Sequence, residues 1–294
     1  MIAFIGSVFS PYYAWAGYRD PMQHCAINVA VYGRGAQRWS MTERTAVSVA
    51  RSARSYQIGN SSMHWDGTAL VIDVDERSAP FGRRIQGTIR LMPEAVTTQA
   101  FELDPDGRHA WWPIAPRSRI EATLTAPDLR FRGSAYFDSN SGEAPLQDGF
   151  TKWDWSRADV GDGAAILYDI TRANGATLDL GLRFARDGSV EEVEPPPRAK
   201  LPPSAIWRLP RQTQCDDGNA RVIKTFEDTP FYARSKLQTQ LFGNQTVAIH
   251  ESLSLDRFTQ PWVRCLLPFR MPRWPFAVTP RSDVAVGGAE DAGG

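Results

Sequence analysis

Short alternating runs of apolar and polar residues, each ended by turn-forming residues, dominate this chain of 294 residues. Successive side chains of a β-strand point to opposite faces, so a two-residue period is typical of strands with one buried face. Four such runs in the first half predict strands at residues 69–74, 84–91, 119–124 and 129–137. Frequent short strands, separated by many of the 23 Gly and 21 Pro, predict an all-β sandwich or barrel.

Two hairpins are predicted in the second half. Residues 164–171 and 176–184 flank Ala173-Asn174-Gly175, a sequence that favours a tight turn. Residues 231–241 and 246–253 flank a second turn at 242–245. Both hairpins fit an antiparallel sheet.

Helical patterns are scarce, and the clearest candidate is residues 41–55, with Thr42 as a possible cap. Val47, Val49 and several Ser and Thr residues favour a strand followed by a turn instead. The sequence leaves these two alternatives open.

The length allows one large β domain or two medium ones. A loop at 138–150 suggests a boundary, which gives an N-terminal domain at 1–145 and a C-terminal domain at 146–276. Prolines at 195–197 and 202–203 predict a stiff connection within the second half. The Gly- and Ala-rich residues 277–294 are predicted to be a disordered tail.

Charge and cysteine content exclude several functional classes. The 33 basic and 33 acidic residues balance, and a nucleic-acid partner would require a basic surface. The three cysteines are far apart, which argues against a zinc site or a disulfide framework. The four histidines lack metal-ligand spacing, and Gly33-Arg34-Gly35 is interpreted as a turn.

The two ends of the chain are rich in aromatic residues. Residues 1–16 lack the basic start of a signal peptide, and no run of about 18 apolar residues predicts a spanning helix. Residues 261–276 combine Trp, Phe and Leu with three Arg, and their repeated prolines argue against a long regular helix. This segment is either an extended tail that covers the core or a contact with a membrane surface.

Two short motifs place chemically useful side chains on common faces. In extended chain His109 shares a face with Trp111, and Tyr136 shares one with Asp138. A carboxyl group in an apolar pocket holds its proton at neutral pH, and aromatic faces stabilise cations. The set would suit protonation of a weakly basic substrate if the strands were neighbours. Each residue also has a plain structural explanation, as a turn acceptor, a core aromatic or a solvent-facing histidine.

Long blocks of the sequence resemble the carotenoid 1,2-hydratase (hydroxyneurosporene synthase) family of purple phototrophic bacteria. The resemblance extends from about residue 1 to residue 276 and is strongest in GSAYFDSNSGEAPLQDGFTKWDWSRA, residues 133–158. Further blocks are FIGSVFSPYY, HCAINVAVYG, MTER, HWDGTALVIDVDE, WPIAPRSRIE, FYARS and LDRF.

The resemblance implies a fold and an activity. The fold would be two lipocalin-like (calycin-type) β-barrel or sandwich domains in tandem, with few short helices. The activity would be addition of water to the terminal C1–C2 double bond of acyclic carotenoids such as neurosporene and lycopene, without a cofactor or a metal. The alternatives are a lipocalin-like carotenoid-binding protein and a related cofactor-free cyclase or pericyclic enzyme.

The resemblance also implies that His109, Trp111, Tyr136 and Asp138 are functionally critical, and their chemistry leads to a hypothesis for the role of each. Protonated Asp138 would donate to C2, while Trp111 and Tyr136 would line the tertiary cation at C1. His109 would either orient Asp138 or accept the proton of the attacking water. Further residues expected to contact the substrate are Trp112, Phe137, Trp153 and Trp155.

The implied partners are the carotenoid, water and a membrane surface, with no nucleic acid. An insoluble polyene must be drawn from lipid, so we expect peripheral association with the cytoplasmic side of the inner (intracytoplasmic) membrane. The sequence leaves the oligomeric state and the preferred carotenoid open.

Overall fold

The computed structural model describes residues 1–33 and 35–273, which form mainly antiparallel β-strands with a few short helices. The predicted all-β class is therefore confirmed. The strands of the first half are β1 (Ile2–Phe4), β2 (Cys25–Val31), β3 (Arg38–Arg44), β4 (Val49–Arg51), β5 (Ser55–Ile58), β6 (Ser61–Trp65), β7 (Leu70–Arg77), β8 (Arg84–Pro93), β9 (Phe101–Glu102), β10 (His109–Ala126) and β11 (Asp128–Gly142). Those of the second half are β12 (Phe150–Val160), β13 (Gly163–Arg172), β14 (Thr177–Phe184), β15 (Val190–Val193), β16 (Arg198–Leu201), β17 (Arg211–Gln214), β18 (Arg221–Asp228), β19 (Tyr232–Leu241) and β20 (Asn244–Ser254). The α-helices are α1 (Pro11–Trp15), α2 (Leu146–Gly149), α3 (Leu255–Phe258) and α4 (Pro261–Arg270).

Two large sheets organise the molecule. The first has the strand order β11-β10-β8-β7-β6-β5-β4, with β9 paired to β10. The second has the order β15-β14-β13-β12-β20-β19-β18. A sheet of β1, β2 and β3 and a pair of β16 and β17 complete the set. The chain passes from the first large sheet to the second between Gly142 and Phe150, and the division into two domains there stays a prediction.

Both predicted hairpins are confirmed. Strands β13 and β14 pair from Ala164↔Phe184 to Thr171↔Thr177 around the predicted Asn-Gly turn. Strands β19 and β20 pair as far as Leu241↔Asn244, so their turn is only Phe242-Gly243. Both turn residues have positive φ, as a two-residue hairpin turn of the right twist requires.

The helix candidate at 41–55 is wrong, and the alternative of a strand and a turn is correct. Residues 41–44 belong to β3, and a single 3₁₀ turn at Ala46–Ser48 leads to β4. The polar side chains of β3 are buried with partners: Glu43 contacts His24 Nδ1 at 2.9 Å, and Arg44 contacts Glu76 at 2.9 Å. Ion pairing thus accounts for charges in a strand that lacks an apolar pattern.

The C-terminal aromatic segment is helical where it is described. Helix α4 begins with Pro261 at its first turn, where the missing N–H costs no hydrogen bond, and it contains Pro268 near its end. The expectation of an extended tail is therefore wrong for 261–270, because ten residues are short enough to tolerate both prolines. Glu43 N–H then donates to Pro272 O at 3.0 Å, which joins this segment to β3. Residues 274–276 and the predicted disordered tail at 277–294 lie outside the described residues.

One large core cluster connects the sheets to the helices. It joins Trp111 of β10 and Tyr168 of β13 to Phe258 of α3 and Val263 and Leu267 of α4. The open end of the β10–β11 hairpin, near Trp111, is therefore packed directly against the second large sheet. This end carries the residues of the candidate site.

Candidate active site

A cavity of about 1670 Å³ lies within the molecule and is lined by residues of both large sheets, the three-stranded sheet and α4. Its wall is mostly apolar: Ile72 and Ile89 come from the first large sheet, Leu253 from the second, and Leu267 from α4. This volume exceeds the range of about 300–1,000 Å³ that is usual for small-molecule sites. The cavity can therefore accept a long apolar ligand.

Three of the predicted catalytic residues form a hydrogen-bonded cluster beside this cavity. Trp111 Nε1 donates to Asp138 Oδ2 at 2.9 Å and approaches the Tyr136 hydroxyl at 3.2 Å. Tyr136 and Asp138 line the cavity, two residues apart on β11.

The strand register explains how these residues meet. Trp111 of β10 lies opposite Asn140 of β11, so Asp138 is its diagonal neighbour on the same face. Diagonal neighbours are about 7–8 Å apart, which an indole ring can span. The register shifts beyond Trp112, where Pro113 and Pro116 have no N–H to donate.

The surroundings of Asp138 favour its protonated form. Burial raises the pKa of the Asp138 carboxyl above its ordinary value, although hydrogen bonds from Trp111 and Tyr136 act in the opposite direction. The charge of Glu251 raises this pKa further. Burial and the nearby Asp138 also raise the pKa of Tyr136, which keeps its hydroxyl proton as a hydrogen-bond donor. Asp138 is thus a half-buried acid that faces an apolar cavity and tends to keep its proton.

Trp111 supplies a hydrogen bond to this acid and does not form the cavity wall. Its side chain is fully buried (0% exposed) and packs on Phe101 and Tyr168, with ring centroids 5.7 and 5.2 Å away. The aromatic face next to Asp138 comes instead from Tyr136, and the ring of Trp155 packs against it, tilted by 40° with the ring centroids 5.3 Å apart. The expectation that Trp111 lines a cation is corrected accordingly.

His109 is buried beside the cluster, but both of its nitrogens are occupied elsewhere. Nδ1 lies 2.8 Å from Asp104 Oδ2, and Nε2 lies 3.0 Å from Ala144 O. Since a carbonyl only accepts, Nε2 carries a hydrogen and donates it. No hydrogen bond joins His109 to Asp138 within the described part of the chain. The ring ties the start of β10 to the loop before α2, and a catalytic role for it stays a prediction.

Asp104 is a partner of His109 that the sequence reasoning missed. Burial raises the pKa of Asp104, but the hydrogen bonds from His109 and from backbone N–H groups outweigh burial, so the pKa lies below its ordinary value. The turn Asp104-Pro105-Asp106-Gly107, five residues before the histidine, was the available signal.

The four residues expected to contact substrate divide into two groups. Phe137, Trp153 and Trp155 line the cavity. Trp112 does not: it is 37% exposed, and its N–H donates to Thr97 O at 2.9 Å. Alternation along β10 puts Trp112 on the face opposite Trp111.

A row of polar and aromatic side chains crosses the cavity face of the second large sheet. The row follows the pairs Tyr168↔Trp155, Trp155↔Glu251 and Glu251↔Arg234 across β13, β12, β20 and β19. Arg234 donates to Glu251 Oε1 from Nε at 2.9 Å and approaches the same oxygen with Nη2 at 2.7 Å. Sequence reasoning missed Glu251 and Arg234 because only strand pairing brings them to Trp155.

Within residues 1–33 and 35–273, no group of three or more His, Cys, Asp or Glu residues is arranged to hold a metal ion. None of the helices in the same part of the chain has the length and apolarity needed to cross a membrane.

The fold and the site together define an all-β, lipocalin-like protein that presents a half-buried acid to a large, mostly apolar cavity. Residues 1–278 match the sequence family described as carotenoid hydratase CrtC, and the chain belongs to this family. The chain is 54% identical to the acyclic carotenoid 1,2-hydratase of Thiocapsa roseopersicina over 93% of its length and 68% of that protein. It is 43% identical to the protein of the same description from Cereibacter sphaeroides, over 94% of this chain and 98% of that one.

A solved structure is also similar. It is the crystal structure of a Nitrosomonas europaea protein described as an AttH, with a TM-score of 0.52 and 11% identity over 78% of this chain and 79% of that one. At this identity the likeness concerns the fold alone, and it agrees with the predicted lipocalin-like architecture.

Proposed function

We propose that this chain is a hydro-lyase that adds water across the terminal C1–C2 double bond of acyclic carotenoids and yields 1-hydroxy carotenoids. The observation that carries the proposal is Asp138, an acid whose pKa burial raises and whose carboxyl faces a large apolar cavity. Family membership and the activity named for the relatives support the same reaction.

In the proposed mechanism the acid acts first. Asp138 donates its proton to C2, so that the positive charge develops at C1, where the cation is tertiary. The faces of Tyr136 and Trp155 stabilise this cation, by about 1–2 kcal/mol each in a site without water. Water then attacks C1 and loses a proton to a base.

Product analysis with lycopene tests the proposal. Wild-type protein and Asp138→Asn are incubated with lycopene vesicles in water enriched in heavy oxygen. Wild type should yield a product heavier by one or two labelled waters, whereas Asp138→Asn should yield none, because an amide cannot protonate the alkene.

A thermal unfolding curve serves as the control that the Asn variant is folded. Labelled product from folded Asp138→Asn at a rate near that of wild type would overturn the assignment of the acid. Lycopene bound by wild type without any product would favour the carotenoid-binding alternative.

We also propose that α1 and α4 bind peripherally to a membrane surface. The two helices contact each other and expose Trp15 (61%), Trp262 (49%) and Phe269 (74%). Leu266 and Phe269 also line the cavity, which supports passage of a lipid-borne substrate beside α4. By this proposal the protein lies on the cytoplasmic side of the inner membrane of a phototrophic cell.

A further inference from the structure

The attacking water must pass a proton to a base, and Asp138 has given up its own proton but holds the C2 side of the alkene. His109 is poorly placed for this task, because Asp104 and Ala144 occupy both of its nitrogens. We infer that Glu251 is the base that orients the attacking water and accepts its proton. This inference rests on the proposed hydration and adds a second catalytic carboxylate to it.

Strand pairing places Glu251 close to the acid cluster. Trp155 is the direct neighbour of Glu251 across β12 and β20, and its ring packs in a tilted arrangement on Tyr136, with the ring centroids 5.3 Å apart. Neighbouring strands are about 4.8 Å apart, so Glu251 is one strand from Trp155 and two strands from Tyr168. Tyr168 in turn packs on Trp111, the donor to Asp138.

The hydrogen bonds of Glu251 leave one oxygen for water. Both close contacts from Arg234 reach Oε1, at 2.9 and 2.7 Å. Among the described residues, none donates a hydrogen bond to Oε2, and the side chain is 23% exposed in the cavity wall. A carboxylate fixed at one oxygen and open at the other can hold a water molecule in a defined position.

The other carboxylates in the described cavity wall are less suitable. Glu227 lies one strand further away, beyond Arg234, and accepts a hydrogen bond from Tyr32. Asp228 accepts hydrogen bonds from the backbone N–H groups of Ile206 and Trp207. Glu143 is exposed, in the turn that follows β11.

The charge of Glu251 has a second effect on the reaction. It raises the pKa of Asp138 and so favours the protonated form of that acid. Two carboxyl groups with different surroundings are thereby set to opposite tasks, one as the acid and one as the base.

The proton balance of the step closes. The Asp138 O–H bond breaks and a C2–H bond forms, which leaves a cation at C1. The water oxygen forms a bond to C1, and one of its protons moves to Glu251 Oε2. Before the next turnover, the proton on Glu251 returns to Asp138 through water in the cavity.

Deuterium exchange separates the two carboxylates. In heavy water, deuterated Asp138 places deuterium on C2, so that C2 of the cation carries one hydrogen and one deuterium. When rotation about the C1–C2 bond presents the original hydrogen to the Asp138 carboxylate, loss of that hydrogen releases lycopene labelled at C2. Glu251→Gln should lose hydration by roughly a hundredfold or more but still label the recovered lycopene. Asp138→Asn should lose both hydration and labelling.

Glu94→Gln is the matched control, since it removes a carboxylate of similar exposure (24%) that pairs with Arg117 outside the cavity wall, and it should hydrate like wild type. If Glu251→Gln fails to fold, Glu251→Asp keeps the charge and should lower hydration relative to labelling. Hydration by folded Glu251→Gln at the wild-type rate would overturn the inference. Loss of labelling together with hydration would also overturn it, because Glu251 would then act on Asp138. Failure of the proposed function can be distinguished from failure of this inference, because wild type would then yield no hydrated product.

Discussion

Asp138 is subject to two opposing influences, and their balance determines the pH range in which it can act as an acid. Burial favours the neutral carboxyl, whereas the Trp111 and Tyr136 hydrogen bonds favour the carboxylate. Because the net shift of the pKa is upward, the proton is retained to higher pH than in an ordinary aspartate. Activity should therefore fall as the pH rises through this raised pKa.

Trp111→Phe should move that fall in activity to higher pH. The substitution removes the N–H that stabilises the carboxylate, so the pKa of Asp138 rises further and the protonated form persists longer. The measurement is the rate of lycopene hydration against pH, normalised to the maximum of each variant. Trp112→Phe is the matched control, because the Trp112 N–H donates to Thr97 O and should leave the profile unchanged. A fall displaced to lower pH in Trp111→Phe would contradict this account.

At the scale of single residues the sequence predicted part of the site. The two-residue period of a strand correctly placed Tyr136 and Asp138 on one face. The strand period could not show that Trp111 lies behind Tyr136 and Asp138. That position depends on Tyr168 of the second large sheet, which packs on the Trp111 ring. Glu251 was out of reach for the same reason, since it meets Trp155 only through pairing of distant strands.

The β10–β11 hairpin is the element that carries the acid cluster, and it is longer than the sequence predicted. Expected strands at 119–124 and 129–137 are parts of strands of 18 and 15 residues. The full length of these strands is hard to predict from the sequence, because they contain Pro113, Pro116 and Gly133, and such residues normally interrupt strands. The segment after Asp138 likewise has the composition of a turn, yet it remains paired with β10 as far as Gly142.

Gly142→Ala should destabilise this end of the hairpin. A Cβ at Gly142 would lie 2.7 Å from His109 Cδ2. The imidazole ring cannot move away without breaking its hydrogen bond to Asp104 or to Ala144 O. We expect the free energy of unfolding to fall by about 1–3 kcal/mol, as for other overpacked sites. The measurement is chemical denaturation of Gly142→Ala and wild type, together with the control variant described next.

Gly133→Ala is the control for that comparison. Gly133 lies on the same strand, and a Cβ there meets nothing within 4 Å. Its alanine variant should therefore be at least as stable as wild type, since alanine restricts the unfolded chain more than glycine does. Equal stability of the two alanine variants would show that His109 is not held in place as described.

At the scale of the whole molecule, the two large sheets share one cavity, and the acid and the proposed base come from different sheets. Asp138 comes from the first sheet and Glu251 from the second, so neither sheet alone carries both groups. The helices that follow the second sheet return to the first part of the chain, where Pro272 O accepts from Glu43 N–H. The aromatic segment at the C-terminal end therefore lies against α1 and lines part of the cavity.

The exposed aromatic residues of these helices predict how the protein meets its insoluble substrate. Trp15 and Phe269 are 61% and 74% exposed, and burying such a ring in lipid is worth about 1.5–3 kcal/mol. The double variant Trp15→Ser/Phe269→Ser should therefore lower the partition coefficient onto phospholipid vesicles by roughly tenfold or more. Sedimentation of the protein with vesicles measures this coefficient. Val96→Ser is the control: it changes an exposed apolar residue on the loop between β8 and β9 and should leave the partition coefficient unaltered. An unchanged partition coefficient for the double variant would exclude α1 and α4 as the membrane contact.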